Sequence, residues 1–296
     1  MDIILSSISQ GLLWSIMAIG VYLTFRILDI ADLTAEGSFP LGAAICSVAI
    51  VSGISPLVAS LMALGGGMIA GVVSGLLHTK LKIPALLTGI LTMTALYSIN
   101  LRILGKANVT LLGQDTLMRT LQSYGLENRL AVLIVGGVAV ALVILVLYLF
   151  FSTEIGLAIR STGDNEAMSE ANGIHTNTMK ILGYMLSNGL ISLSGALIAQ
   201  NNGYADISMG IGTIVIGLAS VIIGEVIFHR LSFAKRLLTI AIGSVVYRLI
   251  IDLVLQLNVE PQDIKLFSAI ILAIALSTPL IKKKSKRVST KGAKVR

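Results

Sequence analysis

Long apolar stretches alternate with short polar clusters along most of the chain. About nine stretches are candidates to lie in a membrane: 3–25, 37–52, 54–77, 83–103, 130–152, 181–200, 213–228, 237–256 and 265–281. A helix needs roughly 20 apolar residues to cross a bilayer, whereas barrel strands are segments of about 10 residues with alternating polarity. The pattern therefore predicts an all-α, polytopic helical bundle in the membrane, with one short or re-entrant helix near 37–52.

The composition supports this interpretation. Hydrophobic residues make up 55% of the chain and charged residues 12%, and the mean hydropathy is +0.91. This leaves too little polar surface to cover a water-soluble domain of this length. We expect a single transmembrane domain over residues 1–281.

The net charge of +7 is concentrated at the C-terminus. Residues 282–296 hold eight of the 22 basic residues and no acidic one, while the rest of the chain is nearly neutral. A basic segment directly after a membrane span favours contact with anionic lipid on the cytoplasmic side, not with nucleic acid. We expect a disordered cytoplasmic tail here.

Lysine and arginine also predict the orientation of the spans. The basic connectors 78–82, 154–180 and 229–236 fall on the same side as the tail if every apolar stretch crosses. Positive charge favours the cytoplasmic side. The N-terminus is then expected outside the cell and the C-terminus inside.

Three glycines recur at four-residue spacing in the third apolar stretch. Gly67, Gly71 and Gly75 remove side chains from one helix face, so another backbone can approach closely. Two interpretations remain open at this point: tight packing within one subunit, or contact between two copies.

The polar segment 154–180 interrupts the apolar pattern and contains a short helix signal. Thr162, Gly163 and Asp164 are typical of a helix start, and Gly173 of a helix end, which predicts a helix over 165–172. Glu166 adds negative charge in the first turn. Small apolar residues follow at helical spacing between acidic ones, which indicates either a docking surface or a simple connecting loop. The residues in question are Asp164, Glu166, Ala167, Met168, Glu170, Ala171, Gly173 and Ile174.

Acidic and hydroxyl side chains lie between the first two apolar stretches, at Asp29, Asp32, Thr34, Glu36 and Ser38. Polar groups at membrane depth persist where they pair or line a wet cavity. One interpretation is a discontinuous helix at the pore, with Thr34 and Glu36 near the translocation pathway. The alternative is a cytoplasmic turn in which Arg26 pairs with Asp29 or Asp32.

Uncharged polar residues also occur inside the predicted spans. Thr88, Thr92 and Asn188 suit a pathway for a zwitterionic solute, and they suit hydrogen bonds between helices equally well. Arg248 and Asp252, four residues apart, are expected to form an ion pair within the bundle.

Four segments resemble a known family. The runs GLAIRSTGDNEAMSEANGI, LSNGLISLSGALIAQ, FRILDIADLTAEGSFPLGAAI and ADISMGIGTIVIGLASVIIGE are similar to segments of ABC-importer permeases of the branched-chain amino acid, ribose and nucleoside type. The residues in the last two of these segments are most similar to a branch of the family linked to tryptophan and tyrosine uptake. The first loop of this chain is more acidic than that of the family, because it contains Asp29, Asp32 and Glu36.

The resemblance implies a homodimeric permease in the bacterial cytoplasmic membrane. Each copy would rest its 164–174 element on one of two ATPase subunits, and an extracellular or periplasmic solute-binding protein would deliver the solute. ATP and Mg would bind the partner ATPase, because this chain contains no GxxxxGK[ST] motif for nucleotide phosphates. No cofactor is expected on the chain itself.

We therefore expect a non-enzymatic permease subunit that imports a small solute, an aromatic or branched-chain amino acid. Alternatives are a nucleoside or sugar importer permease, a secondary transporter driven by an ion gradient, and a membrane-embedded enzyme. The sequence has no histidine or cysteine cluster for a metal and no hydrolase motif, which argues against the last.

Overall fold

The computed structural model describes residues 2–227, 233–256, 263, 266–273 and 277. Most of them are helical. The helices are α1 (Asp2–Tyr22), which continues as a π-helical turn (Leu23–Ile27), α2 (Ala35–Val51), α3 (Pro56–Thr79), α4 (Ala85–Leu104), α5 (Leu117–Gln122), α6 (Asn128–Phe151), α7 (Glu154–Asp164), α8 (Glu166–Ala171), α9 (Thr176–Asn202), α10 (Thr213–Ile227) and α11 (Phe233–Gln256). Two short strands, β1 (Asn108–Thr110) and β2 (Tyr204–Asp206), form an antiparallel pair.

Among the described residues, seven helices are long and apolar enough to cross a membrane. They are Ile4–Ile27, Pro56–Thr79, Ala85–Leu104, Asn128–Phe151, Thr176–Asn202, Ile207–Ile227 and Lys235–Gln256. The chain is thus a multi-pass helical membrane protein, and its described part contains seven spans and one short apolar helix, not the full predicted count of about nine segments. The stretch near 37–52 is the short helix α2, and most of the stretch at 265–281, like the tail 282–296, lies outside the described residues.

Helix α2 begins inside the bundle and not at its surface. After Ile27 the chain has no α-helix until Ala35, and Asp29 adopts a left-handed conformation with φ 55°. From there α2 runs alongside α9 in the same direction, since Ser38 contacts Asn188 in the middle of α9 and Cys46 contacts Gln200 near its end. The chain therefore enters the bundle as an irregular segment and continues through it as a short helix.

Helix α9 is the most buried of the seven long helices in the described part of the chain, with 72% of its apolar window inside the protein. The glycine face of α3 packs along it. A Cβ atom on Gly71 would lie 2.7 Å from the carbonyl carbon of Tyr184, and one on Gly75 would lie 2.9 Å from the Cα atom of Ile181. Gly67 faces the backbone of Asn188 in the same way. These glycines therefore pack α3 closely against α9 within one subunit, which is the first of the two interpretations.

The bundle has two distinct ends. Strands β1 and β2 pair with Val109 opposite Ala205, which brings the ends of α4 and α9 together at what we call the hairpin end. Helices α7 and α8 lie at the opposite end, called the α8 end. Gly163 of α7 contacts Ile27 after α1, and Arg26 pairs with Glu225 near the end of α10, so these termini share the α8 end.

Candidate functional site

Helix α8 is a separate short helix with its own cap. The Asn165 side chain accepts a hydrogen bond from the Met168 amide at 3.0 Å, which satisfies one of the free amides of the first turn. Gly173 follows with φ 80°, a left-handed conformation that ends the helix at little cost. The structure thus has a helix at Glu166–Ala171, inside the predicted 165–172.

The predicted helix start at Thr162, Gly163 and Asp164 is wrong, because these residues end a second helix, α7. Sequence reasoning missed α7. Its signals were present: Thr153 caps it by accepting from the Gly156 amide, and its buried residues Gly156, Ile159 and Thr162 are three apart. That spacing places them on one face of a helix.

The exposed surface of α8 combines apolar and acidic side chains. Met168 has 64% of its surface exposed. Asp164, Glu166, Ala167, Glu170, Ala171 and Gly173 are exposed as well, and Ile174 is half-buried. Ser169 faces inward and lies 2.8 Å from the Ser161 hydroxyl of α7. The α8 end therefore presents a small apolar surface between two carboxylates.

Polar contacts attach α8 to the first turns of α9. The Thr176 hydroxyl donates to Glu170 at 2.8 Å, and the Lys180 ammonium lies 2.5 Å from a Glu166 oxygen. Both acids lie on α8 and both partners on α9. Helix α8 is therefore linked to the central helix of the bundle by side-chain contacts as well as by the chain itself.

A buried polar network joins the start of α2 to the middle of α9 and to α3. The Asn188 amide donates to Asp32 at 2.7 Å and its oxygen accepts from the Ser38 hydroxyl at 2.7 Å. The Thr34 amide donates to the other Asp32 oxygen at 2.9 Å, and the Thr34 hydroxyl lies 2.8 Å from that of Ser74. All five side chains are buried. We call these residues the polar core.

The polar core has a simple electrostatic basis. Asp32 precedes α2 and accepts from the Thr34 amide, so its carboxylate lies where the helix dipole favours negative charge.

The alternative in which Arg26 pairs with Asp29 or Asp32 is wrong, because Arg26 instead pairs with Glu225 at 2.8 Å. Ser74, which the sequence reasoning missed, lies on the glycine face of α3 between Gly71 and Gly75.

The residues predicted for the translocation pathway lie close to this network. Thr34 and Asn188 belong to the polar core. Glu36 accepts from the Gly212 amide at 3.0 Å and so joins the start of α2 to that of α10. Thr88 and Thr92 are buried on the face of α4 that packs against the segment before α2, where Gly89 contacts Leu33.

Two further features bear on chemistry. Within the described residues, no group of three or more histidine, cysteine, aspartate or glutamate side chains could hold a metal ion. Arg248 and Asp252 form the expected ion pair at 3.2 Å within α11.

Comparison with known proteins gives the family. Residues 3–276 match the family described as branched-chain amino acid transport system / permease component. The chain is 42% identical over 275 residues to a tyrosine transport system permease protein of Clostridioides difficile (strain R20291), covering 93% of this chain and 90% of that protein. It is 33% identical to the uncharacterized protein RP368 of Rickettsia prowazekii (strain Madrid E), covering 94% and 98%.

A more distant relative is the autoinducer 2 import system permease protein LsrC of Yersinia pseudotuberculosis (serotype O:1b, strain IP 31758), which is 26% identical over 67% of this chain and 54% of that protein. No solved structure matches the chain at a significant level. The family match spans nearly the whole chain and includes all seven long helices, α2, and the α7–α8 segment. The chain belongs to the permease family of the branched-chain amino acid transport systems.

Proposed function

We propose that this chain is the membrane permease of an ATP-driven importer for an amino acid. The observation that carries the proposal is α8, an exposed apolar surface fixed through Thr176 and Lys180 to the central helix. An exposed apolar patch rimmed by charge is typical of a protein contact. Two ATPase subunits would bind here, one on each copy, and would hold the ATP and Mg.

The α8 end is then the cytoplasmic end. Its connectors carry the basic clusters at 78–82, 154–180 and 229–236, as the positive-inside rule requires for the cytoplasmic side. A solute-binding protein outside the bacterial cytoplasmic membrane would deliver its cargo to the hairpin end, and the C-terminal tail would be cytoplasmic.

We infer that two copies associate through α4. Helices α4 and α6 are both poorly covered within one chain, with 28% and 33% of their windows buried, yet their mean hydropathies are 1.3 and 3.2. The free face of α6 is aliphatic and suits lipid. The free face of α4 carries Thr94, Tyr97 and Ser98, which suit a second protein copy or a water-filled pathway better than hydrocarbon.

This contact between the α4 helices of two copies, called the seam, can be tested by cross-linking. In a variant with Cys46, the chain's single cysteine, replaced by alanine, Ser98→Cys is expected to give a covalent dimer in membranes treated with a short bis-maleimide. Val138→Cys, on the exposed face of α6, is the matched control and should stay monomeric. A dimer from Val138→Cys with none from Ser98→Cys would place the seam elsewhere.

The relatives support an amino acid as the cargo. The relative at 42% identity is named for tyrosine, and LsrC, at 26%, for autoinducer 2. We therefore propose an aromatic amino acid as the solute, with a branched-chain amino acid next and a sugar or nucleoside as the alternative. Hydroxyl groups such as those of Thr88 and Thr92 suit a zwitterion, because they offer hydrogen bonds without a fixed charge.

Uptake assays separate these possibilities and the energy source. Cells that express the chain with its cognate ATPase and solute-binding protein are expected to accumulate radiolabelled tyrosine more strongly than leucine or ribose. Uptake should fall to background when ATP is depleted while the ion gradients are clamped. Uptake that persists without ATP and stops with an ionophore would instead identify a secondary transporter.

A further inference from the structure

A polar cavity of about 190 Å³ lies at the α8 end, where the ends of three helices meet. Arginines converge on it from separate elements: Arg26 from the turn after α1, Arg160 from α7 and Arg236 from α11. The full lining is Tyr22, Arg26, Ile27, Arg160, Asp164, Phe233 and Arg236. The space exceeds the ~30 Å³ that one water molecule takes in the liquid.

Two of the three arginines at this cavity lack a carboxylate partner among the described residues. Arg26 pairs with Glu225 at 2.8 Å, and Asp164 contributes a second carboxylate. Arg160 lies over the Phe233 ring at 5.3 Å, and Arg236 lies beside the neutral hydroxyl of Tyr22. In this part of the chain neither Arg160 nor Arg236 has a carboxylate within 4.0 Å. Two of the three guanidinium groups at the cavity, those of Arg160 and Arg236, thus have no carboxylate partner in the described part of the chain.

The depth of the cavity corresponds to the edge of the hydrocarbon layer. Arg26 and Ile27 end the apolar span Ile4–Ile27, and Arg236 is near the start of the span Lys235–Gln256. Phe233 packs against Phe151, the last residue of α6, with ring centroids 4.8 Å apart. Lipid phosphates lie at this level of a bilayer, and basic groups between spans on the cytoplasmic side attract anionic head groups.

We propose that this cavity binds a phosphate-type oxyanion supplied by the head group of an anionic phospholipid. Guanidinium groups pair with phosphate through two parallel hydrogen bonds, and a phosphodiester would supply the negative partner that Arg160 and Arg236 lack among the described residues. A lipid bound here links α7 to the ends of α1 and α11. Because α7 leads directly into α8, the lipid steadies the surface proposed for the ATPase, although the binding itself does not depend on which solute is transported.

The experiment uses the full chain in lipid nanodiscs. Phosphatidylglycerol added to phosphatidylcholine is expected to raise the midpoint of thermal unfolding of the wild type. Arg236→Gln and Arg160→Gln should need about tenfold more phosphatidylglycerol for the same rise, since each removes a charge-assisted hydrogen bond. Each variant is compared with its own midpoint in phosphatidylcholine alone, so a general loss of stability does not enter. Lys80→Gln removes one exposed charge at the same end and serves as the control.

A second arm identifies the source of the oxyanion. Inorganic phosphate added in detergent tests a soluble anion; a rise that depends on Arg236, without any response to phosphatidylglycerol, would uphold the oxyanion site and replace the lipid with a free anion. An equal response of Arg236→Gln and wild type to both probes would overturn the proposal. So would variants that keep the lipid response but no longer bind the cognate ATPase, because the cavity would then accept an acidic side chain of that protein.

Discussion

Replacing Ala171 by arginine is expected to lower solute uptake, and the ATP hydrolysis that solute stimulates, by at least about tenfold. Ala171 is a small, apolar residue on the exposed surface of α8. An arginine there would place an unpaired charge in the contact proposed for the ATPase, and such a charge costs roughly 2–5 kcal/mol when a partner covers it. Since 1.4 kcal/mol corresponds to about a factor of ten, nearly all coupling should be lost. Uptake of the labelled solute and ATPase activity of the purified complex are the measurements.

Two controls make this result specific for docking. The amount of folded permease in the membrane should not change, because the Ala171 side chain is exposed and supports no buried contact. Leu112→Arg adds the same charge at the opposite, hairpin end, where Leu112 is 83% exposed, and should leave the affinity of the purified permease for the ATPase within about twofold of wild type. Wild-type ATPase stimulation in Ala171→Arg would show that α8 does not form the contact.

The short helix α8 was predicted from the sequence, whereas α7 was missed although part of its signal is local. For α8 the signals are local: a polar start, an acidic first turn and Gly173 at the position that requires a left-handed conformation. Helix α7 directly follows the apolar stretch of α6 and directly precedes α8. Its boundaries depend on the Thr153 cap and on the burial of Ile159 against the bundle, and burial is a tertiary property.

The break between α1 and α2 illustrates the same limit. The acidic cluster indicated that something other than a plain span lies there. Only the fold reveals that Asp32 is held by Asn188, which is 156 positions away in the chain, and that Arg26 pairs with Glu225. Along the sequence, the acidic residues nearest to Arg26 are Asp29 and Asp32, and the sequence therefore predicted an ion pair between Arg26 and one of them. Pairing by proximity along the chain was wrong because helix packing decides which side chains meet.

The short helix near 37–52 was predicted, but its surroundings were not. An apolar stretch of 17 residues such as α2 has the composition of a span, but its burial by α3, α4 and α9 makes it part of the bundle interior. A hydropathy pattern records that a segment avoids water and does not record whether lipid or protein covers it. The close packing of the glycine face of α3 could be predicted. A helix face without side chains allows another helix to approach closely, whichever helix that is.

Gly71→Leu is expected to reduce the amount of folded permease severely. A Cβ atom at position 71 would lie 2.7 Å from the carbonyl carbon of Tyr184 and 2.8 Å from the Cα atom of Met185, so the obstacle is the backbone of α9 and not a movable side chain. Overpacking against side chains costs about 1–3 kcal/mol, and a backbone clash between two central helices should exceed that range.

Gly65→Leu is the matched control on the same helix, because a Cβ atom there meets nothing within 4 Å. Size-exclusion chromatography of the detergent-solubilised variants, with thermal unfolding of any folded fraction, should separate them clearly. Comparable yields from Gly71→Leu and Gly65→Leu would mean that α3 and α9 can separate without loss of the fold. The contact would then be a movable one, and α9 could shift against α3 when α8 is displaced.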